Sequence, residues 1–171
     1  KINSADKFIF LTHCQYEKNG YQNRFNMNNR WYTMSAKRGL VPINQKIYLR
    51  PHEDWEKIKK SLPQYSNLLT RFESRLCASL CQTNMAIIQD VISLLEIKIK
   101  IGIDWPTDLT GTDRLVNICA QNGATEYISG VSGAQYLDLQ KFNEAGIKVS
   151  FQSETSMVKK PILKVLESIV E

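Results

Sequence analysis

The sequence predicts an α/β fold: a mostly parallel sheet with flanking helices in a Rossmann-like three-layer arrangement, and a helical insertion in the middle. One observation is "IKIKIGIDW" (97–105), where Ile alternates with Lys or Gly as in a strand. Two helix–strand units follow at the spacing of right-handed parallel crossovers. The third observation is helical periodicity across residues 51–96. The length of 171 residues fits a single α/β domain over 1–171, and the start at Lys1 leaves room for an upstream first strand.

The first third of the chain predicts strands and turns. "KFIFLTHCQY" (7–16) begins with four apolar residues and indicates a strand that leaves a buried sheet. Turn signals at Asn19-Gly20 and Asn28-Asn29 predict short polar strands within 17–39. Residues 40–50 contain Pro42 and are expected to be extended.

The rest of the chain predicts helices and strands in alternation. A helix over 51–62 begins at Pro51 and stops at Pro63, and a cap at Thr83 or Asn84 divides residues 66–97 into two helices. The remaining elements are expected in chain order as a helix at 110–123, a strand at 125–130, a helix at 134–146, a strand at 147–152, a polar loop at 153–159 and a helix at 160–171.

The composition of the chain narrows the class of protein and the kind of partner that it binds. No apolar run is long enough for a membrane span, and no signal peptide is evident, so we expect a cytoplasmic protein without membrane insertion. The net charge of +5 is uneven: residues 1–60 hold 12 basic and 5 acidic residues, which gives +7. This asymmetry favours an anionic partner, such as a nucleotide-linked sugar, another phosphate-bearing small molecule or nucleic acid.

The four cysteines are expected to be reduced thiols. Cys77 and Cys81 are four apart in a helical pattern, which predicts one shared, buried helix face. Neither His13 nor His52 has the spacing of a paired zinc ligand, so no metal site is predicted. The sequence does not identify a cofactor.

A glycine- and hydroxyl-rich stretch, "GATEYISGVSGAQYLD" (123–138), is longer than a plain connection requires. Ligands of parallel sheets bind beyond the carboxyl ends of the strands. "DWPTDLTGTDR", "SGVSG" and "THCQYEKNGYQNR" all follow predicted strands, so they are expected at one edge. The stretch is either an elaborate helix entry or a loop that turns its backbone amides towards a ligand.

Two blocks of sequence carry a family resemblance. "TDLTGTDRLVNICAQNGATEYISGVSGAQYLDLQKFNEAGIKVSFQ" and "ADKFIFLTHCQYEKNGYQNR" resemble the WbqC-like protein family. The resemblance implies a bacterial or phage protein of O-antigen or other surface polysaccharide synthesis. It implies a transferase that acylates or aminoacylates a nucleotide-linked amino sugar. The chain lacks the family's His-Gln-Pro-Asn-like start, and it has Thr12 and His13 where members usually carry acids. If those acids are catalytic in the family, this protein works differently or not at all, and an altered substrate is the other alternative.

The resemblance and the residue chemistry together select basic and amide side chains. Arg24 is a candidate phosphate ligand, because guanidinium binds phosphate bidentately and stays charged. Gln15 and Asn23 are expected to orient the ligand as amides. Thr112 and Arg114 open a helix after a strand, where free N–H groups favour an anion. Each of these arginines has a plain alternative as a surface or structural side chain.

The loop and the single nearby histidine complete the candidates. Ser129, Gly130, Ser132 and Gly133 are expected to hold the sugar or the donor through backbone amides and hydroxyls. His13 is the candidate general base that removes a proton from the attacking amine. A structural histidine remains the alternative, and no Ser/His/Asp set can be assembled.

Two other functions remain open from the sequence. A nucleotidyltransferase-like enzyme would bind a nucleoside triphosphate with magnesium. A non-catalytic nucleic-acid-binding module would use basic residues of the first third together with interleaved aromatic rings. These aromatic residues are Tyr16, Tyr21, Phe25, Trp31 and Tyr32.

Overall fold

The structure, a computed structural model, describes residues 2–152 and 162–170 of a mixed α/β protein. The strands are β1 Lys7–Phe10, β2 Arg24–Met27, β3 Arg30–Thr33, β4 Lys100–Ile103, β5 Glu126–Ser129 and β6 Lys148–Phe151. The α-helices are α1 Pro51–Ser61, α2 Ser66–Arg71, α3 Leu80–Leu94, α4 Gly111–Gln121, α5 Leu139–Glu144 and α6 Ile162–Val170.

Contacts divide the chain into two compact units. Unit 1 consists of residues 1–9 and 99–159, and unit 2 consists of residues 10–98 and 160–171. The predicted helical insertion over 51–96 is confirmed as α1 to α3, and it lies in unit 2. The single domain over 1–171 remains a prediction.

Unit 1 contains small parallel sheets. β5 and β6 pair in parallel from Glu126 opposite Lys148 to Ser129 opposite Phe151, and α5 lies between them in the chain. β4 pairs with β1, and the amide of Lys100 donates to the carbonyl of Asp6, so both strands start at the same end.

The strand–helix–strand prediction is therefore confirmed for β5, α5 and β6. Among the described strands, however, β4 is hydrogen-bonded to β1 and has no ladder with β5. The parallel pairs are small because each of these strands has only four residues. The continuous three-layer Rossmann-like sheet remains a prediction.

The helix expected over 134–146 is shorter than its sequence pattern suggested. Residues Val131–Gln135 form a 3-10 helix, and α5 starts only after Asp138. The carboxylate of Asp138 accepts a hydrogen bond from the amide of Gln140 at 3.1 Å, which caps α5 at this position. Phe142 of α5 is fully buried, and its ring stacks on the ring of Tyr127 with centroids 5.2 Å apart.

Unit 2 contains an antiparallel hairpin with a two-residue turn. Asn28 and Asn29 have φ angles of 52° and 60°, as a type I′ turn requires. The turn sets Phe25 opposite Tyr32, and their rings stack with centroids 5.2 Å apart. The hairpin predicted from the Asn-Asn pair is confirmed.

The helices of unit 2 enclose its core. α1 begins at Pro51 as predicted, and the indole of Trp55 donates to the carbonyl of Leu69 at 3.1 Å. This bond joins α1 to α2. Buried apolar side chains from these helices and from α6 form the core, and they include Ile58, Leu69, Phe72, Leu80 and Leu166.

The start of α3 differs from the sequence prediction. Its cap is Ser79, whose hydroxyl accepts from the amide of Gln82 at 3.3 Å, and neither Thr83 nor Asn84 is the cap. Thr83 is fully buried inside the helix and accepts from the amide of Cys77 at 3.0 Å. Cys77 therefore precedes α3, so the face that it was expected to share with Cys81 does not form.

Some predictions concern residues outside the described part of the chain. The polar loop at 153–159 lies there, as do residues 160, 161 and 171 of the predicted closing helix, which is confirmed over Ile162–Val170. None of the described helices is long and apolar enough to span a membrane.

Candidate functional site

Arg114 lies in a buried ion pair in unit 1. Its guanidinium donates to the carboxylate of Asp104, which directly follows β4. Arg114 is 8 % exposed and Asp104 5 % exposed. Nε of Arg114 is buried without a hydrogen-bond partner among the described residues. Because Asp104 neutralises its charge, Arg114 has a structural role besides any ligand contact.

Thr112 joins two helices of unit 1. Its hydroxyl accepts a hydrogen bond from the amide of Asp138 at 3.1 Å, which ties α4 to the start of α5. The helix cap itself is Thr110, which makes no side-chain capping bond. Lys141 adds an exposed ion pair with Asp113 at 2.7 Å between the same helices. Thr112 therefore orients the segment that follows the glycine-rich loop.

The glycine-rich loop is a tight helical turn built around a buried serine. Ser129 ends β5 with 1 % exposure, and the amide of Gly133 donates to the carbonyl of Gly130 at 2.9 Å. A Cβ on Gly133 would lie 1.9 Å from Oγ of Ser129. Gly133 is therefore needed for packing, whereas Ser132 is exposed on the same turn.

Asn23 belongs to a hydrogen-bond network in unit 2. Its amide nitrogen donates to the carbonyl of Met34 at 2.7 Å, and its amide oxygen accepts from the hydroxyl of Tyr16 at 2.9 Å. Tyr16 is buried, and desolvation raises the pKa of its phenol although the nearby charge of Arg24 lowers it. Asn23 therefore positions the segment that carries Arg24.

Arg24 is fixed by the backbone and by an aromatic ring. Its guanidinium donates to the carbonyls of Asn19 and Gly20 and lies 4.0 Å from the ring centre of Trp31. Trp31 also contacts the exposed ring of Tyr21, with centroids 5.3 Å apart. No carboxylate pairs with Arg24 among the described residues. Its positive charge is therefore held in place without being neutralised by any carboxylate in the described part of the chain.

The remaining predicted residues of unit 2 lie on the segment before the hairpin. The ring Nδ1 of His13 is 3.1 Å from the hydroxyl of Thr12, which is buried. Gln15 is exposed, and its amide donates to the carbonyl of Val41 at 3.3 Å. Arg24 and His13 thus belong to unit 2, whereas Arg114 and the glycine-rich loop belong to unit 1.

A cavity of about 420 Å³ lies within unit 2. Its volume falls in the range of small-molecule sites, about 300–1,000 Å³. The hairpin strand β2 and helices α1, α2, α3 and α6 contribute its walls. Apolar side chains dominate these walls, and they include Phe25, Met27, Trp55, Phe72, Ile87 and Val91.

Polar side chains lie along one part of the cavity wall. Gln22, Asn23 and Arg24 are consecutive there, and Asn84 donates to the carbonyl of Gln22 at 2.6 Å. The hydroxyl of Tyr48 donates to Asn84 at 3.1 Å, and burial raises the pKa of that phenol. Oε1 of Gln22 is a buried acceptor with no partner among the described residues.

The size of the cavity is large for an empty space in a protein core. At about 24 cal/mol per Å³, a closed and dry void of this volume would cost on the order of 10 kcal/mol, similar to the whole stability of a domain. Exposed Tyr21 and Ile162 line the cavity, so it reaches the surface and admits water. Water finds few polar partners against the apolar walls, which favours its replacement by an apolar ligand.

Sequence reasoning missed several residues of these sites. Asp104 lies at the end of the strand predicted over 97–105, a position that could have marked it as the partner of Arg114. Lys46 is 3 % exposed, donates to the carbonyl of Gly39 at 2.7 Å and lies 4.0 Å from the ring centre of Tyr16. No local pattern predicts the burial of Lys46 or the cavity, because both depend on contacts between distant segments.

The fold and the cavity define a mixed α/β protein with a ligand-sized apolar cavity. The chain belongs to the WbqC-like protein family, whose sequence model matches residues 1–159. The resemblance seen in the sequence is thereby confirmed.

A curated relative extends this comparison. The chain is 25 % identical over 166 residues to "Uncharacterized protein Rv1507c" of Mycobacterium tuberculosis, with 86 % of this chain and 72 % of that protein covered. No solved structure is significantly similar to the chain.

Proposed function

We propose that this protein transfers an acyl or aminoacyl group to the amino group of a nucleotide-linked sugar during synthesis of a surface polysaccharide such as O-antigen. The observation that carries the proposal is the charge of Arg24. Backbone carbonyls and the ring of Trp31 hold this guanidinium, Arg24 is one of the residues that line the cavity, and no described carboxylate neutralises the charge. A fixed cation of this kind suits a phosphate group.

The predicted residues take distinct roles in this proposal. Arg24 binds a phosphate of the nucleotide, Asn23 holds the Arg24 segment in place, and Gln15 is the exposed amide available to orient the ligand. In unit 1, Ser132 is the exposed hydroxyl of the glycine-rich loop. Ser129, Gly130 and Gly133 give that loop its shape, and Thr112 and Arg114 anchor the adjacent helix.

The reaction requires a base and an activated acyl group. The sugar amine attacks the acyl carbonyl, an amide C–N bond forms, and the bond between the acyl carbon and its carrier breaks. His13 takes the proton from the amine and returns it to the leaving group of the carrier. The proposed location is the cytoplasm.

A nucleic-acid-binding module is the second candidate. The exposed rings of Tyr21 and Trp31, with the guanidinium of Arg24 over Trp31, favour stacking on bases. Against this, Tyr16 and Tyr32 are buried and have no free ring face to offer. Fewer aromatic rings are therefore available for stacking on bases than the five that the sequence indicated.

A thermal-shift panel at two salt concentrations tests the proposal. It contains nucleotide sugars with and without an amino group, a nucleoside triphosphate with magnesium, and a single-stranded oligonucleotide. The proposal predicts stabilisation by the amino-sugar nucleotide at both salt concentrations. A ligand at about one hundred times its Kd adds roughly 2.7 kcal/mol. Stabilisation by the oligonucleotide alone, lost at high salt, would contradict the proposal and support nucleic-acid binding.

A further inference from the structure

We infer that the cavity of unit 2 binds the acyl group of the donor, with the apolar chain between the helices and the polar end beside Gln22 and Arg24. The inference rests on the proposed function and specifies its donor. The cavity volume of about 420 Å³ exceeds what a methyl or formyl group would fill. The donor class is therefore an acyl chain of several carbons.

The chemistry of the walls supports this occupant. Aliphatic and aromatic side chains from the hairpin and from the helices line most of the cavity, including Phe25, Ile87, Val91 and Leu166. Burial of a hydrocarbon chain against such walls is favourable and roughly proportional to the area removed from water. A sugar or a nucleotide base would instead leave its polar groups without partners there.

The polar part of the wall supports the orientation of the chain. Arg24 carries a positive charge with no carboxylate partner among the described residues. It lines the cavity together with the neighbouring amide residues Gln22 and Asn23. The acyl carbonyl at this end therefore lies next to the nucleotide phosphate that Arg24 binds, and a free carboxylate takes the place of that phosphate when no nucleotide is present.

Binding of simple carboxylates tests the inference without a sugar or a nucleotide. Calorimetric titration of the full chain with butyrate, hexanoate, octanoate and decanoate is expected to show Kd falling about fourfold for each added methylene until the cavity is filled. Arg24→Gln is expected to remove the preference for octanoate over 1-octanol. Affinity that is absent, or that does not depend on chain length, would overturn the inference.

Variants on α3 localise the chain. Val91→Phe fills the cavity and is expected to weaken octanoate binding at least tenfold, while the matched variant Ser93→Phe, whose position is exposed and outside the lining, binds as the wild type does. Ile87→Phe is the second cavity-filling variant if Val91→Phe does not fold, as judged by circular dichroism. Unchanged octanoate affinity in a folded cavity-filling variant would overturn the inference.

The experiments can contradict the acyl site and the proposed function independently of each other. Carboxylate binding without any response to amino-sugar nucleotides would support the cavity as an acyl site and contradict the acceptor of the proposed function. Binding of amino-sugar nucleotides without carboxylate binding would leave the acceptor standing and remove the acyl site from this cavity.

Discussion

The guanidinium of Arg24 lies over the indole ring of Trp31, with its carbon 4.0 Å from the ring centre. The two residues belong to neighbouring strands of one hairpin, which turns at Asn28 and Asn29. The hairpin thus holds a cation in a fixed direction, and no carboxylate of the described residues pairs with it.

Replacing Arg24 by Gln is expected to weaken binding of an amino-sugar nucleotide by at least tenfold, because the neutral amide does not attract phosphate. The folded protein should lose about 1–3 kcal/mol, because the variant gives up the cation–π contact with Trp31 and the hydrogen bonds to the carbonyls of Asn19 and Gly20. Calorimetric titration measures the affinity, and urea unfolding measures the stability.

Arg30→Gln is the matched control for this variant. Arg30 is on the same hairpin, lies 5.4 Å from the ring centre of Tyr32 and is not part of the cavity lining. It should keep the wild-type affinity. Equal losses in the two variants would mean that general charge, and not the position of Arg24, governs binding.

The buried pair of Arg114 and Asp104 predicts a strong effect on stability. Arg114→Met leaves the carboxylate of Asp104 buried without its cation, and about 3–5 kcal/mol of unfolding free energy should be lost. The double variant Asp104→Asn, Arg114→Met should recover part of this loss. A double variant as unstable as the sum of the single variants would show that the pair is not energetically coupled.

Gly133 should not tolerate even one added methyl group. Gly133→Ala places a Cβ against Oγ of Ser129, and we expect a loss of about 1–3 kcal/mol from overpacking. Ser132→Ala, an exposed change on the same turn, should stay within about 0.5 kcal/mol of the wild type. Chemical unfolding compares the two variants, and equal stability would show that the loop relaxes around the methyl group.

Tyr127 predicts a loss of stability in alkali. Burial raises the pKa of its phenol from 10.0 to about 12. The unfolded chain therefore releases this proton first, and the stability that the neutral phenol contributes is present below pH 10 and is lost as the pH rises towards 12. In the Tyr127→Phe variant, the unfolding free energy should depend less on pH in this window. An unchanged pH dependence would show that Tyr127 is not the group responsible.

The sequence predicted the elements that local chemistry controls. Asn28-Asn29 predicted the hairpin turn because asparagine tolerates positive φ, and Pro51 predicted the start of α1. The predicted start of α3 was wrong. Ser79, Thr83 and Asn84 all have side chains that can cap a helix, and only tertiary packing, which buries Thr83, excludes it as the cap.

The candidate site was less predictable for the same physical reason. Arg24 and Arg114 looked equivalent in the sequence, but Asp104 neutralises Arg114, whereas Trp31 and backbone carbonyls hold Arg24. The cavity depends on how α6 and the hairpin pack against α3, and no local pattern contains that information. Ser132 remains a predicted ligand contact, while the geometry gives Gly133 a packing role.

The most direct test of the proposed transfer is mass spectrometry of the nucleotide sugar. The protein is incubated with an amino-sugar nucleotide and with acyl thioesters or aminoacyl esters, and a nucleotide sugar with a hydroxyl at the same position is the control. We expect that the amino-sugar nucleotide alone gains the mass of one acyl group less one hydrogen, and that Arg24→Gln slows this gain. An amino-sugar nucleotide whose mass stays unchanged with every donor would contradict the proposed acyl or aminoacyl transfer.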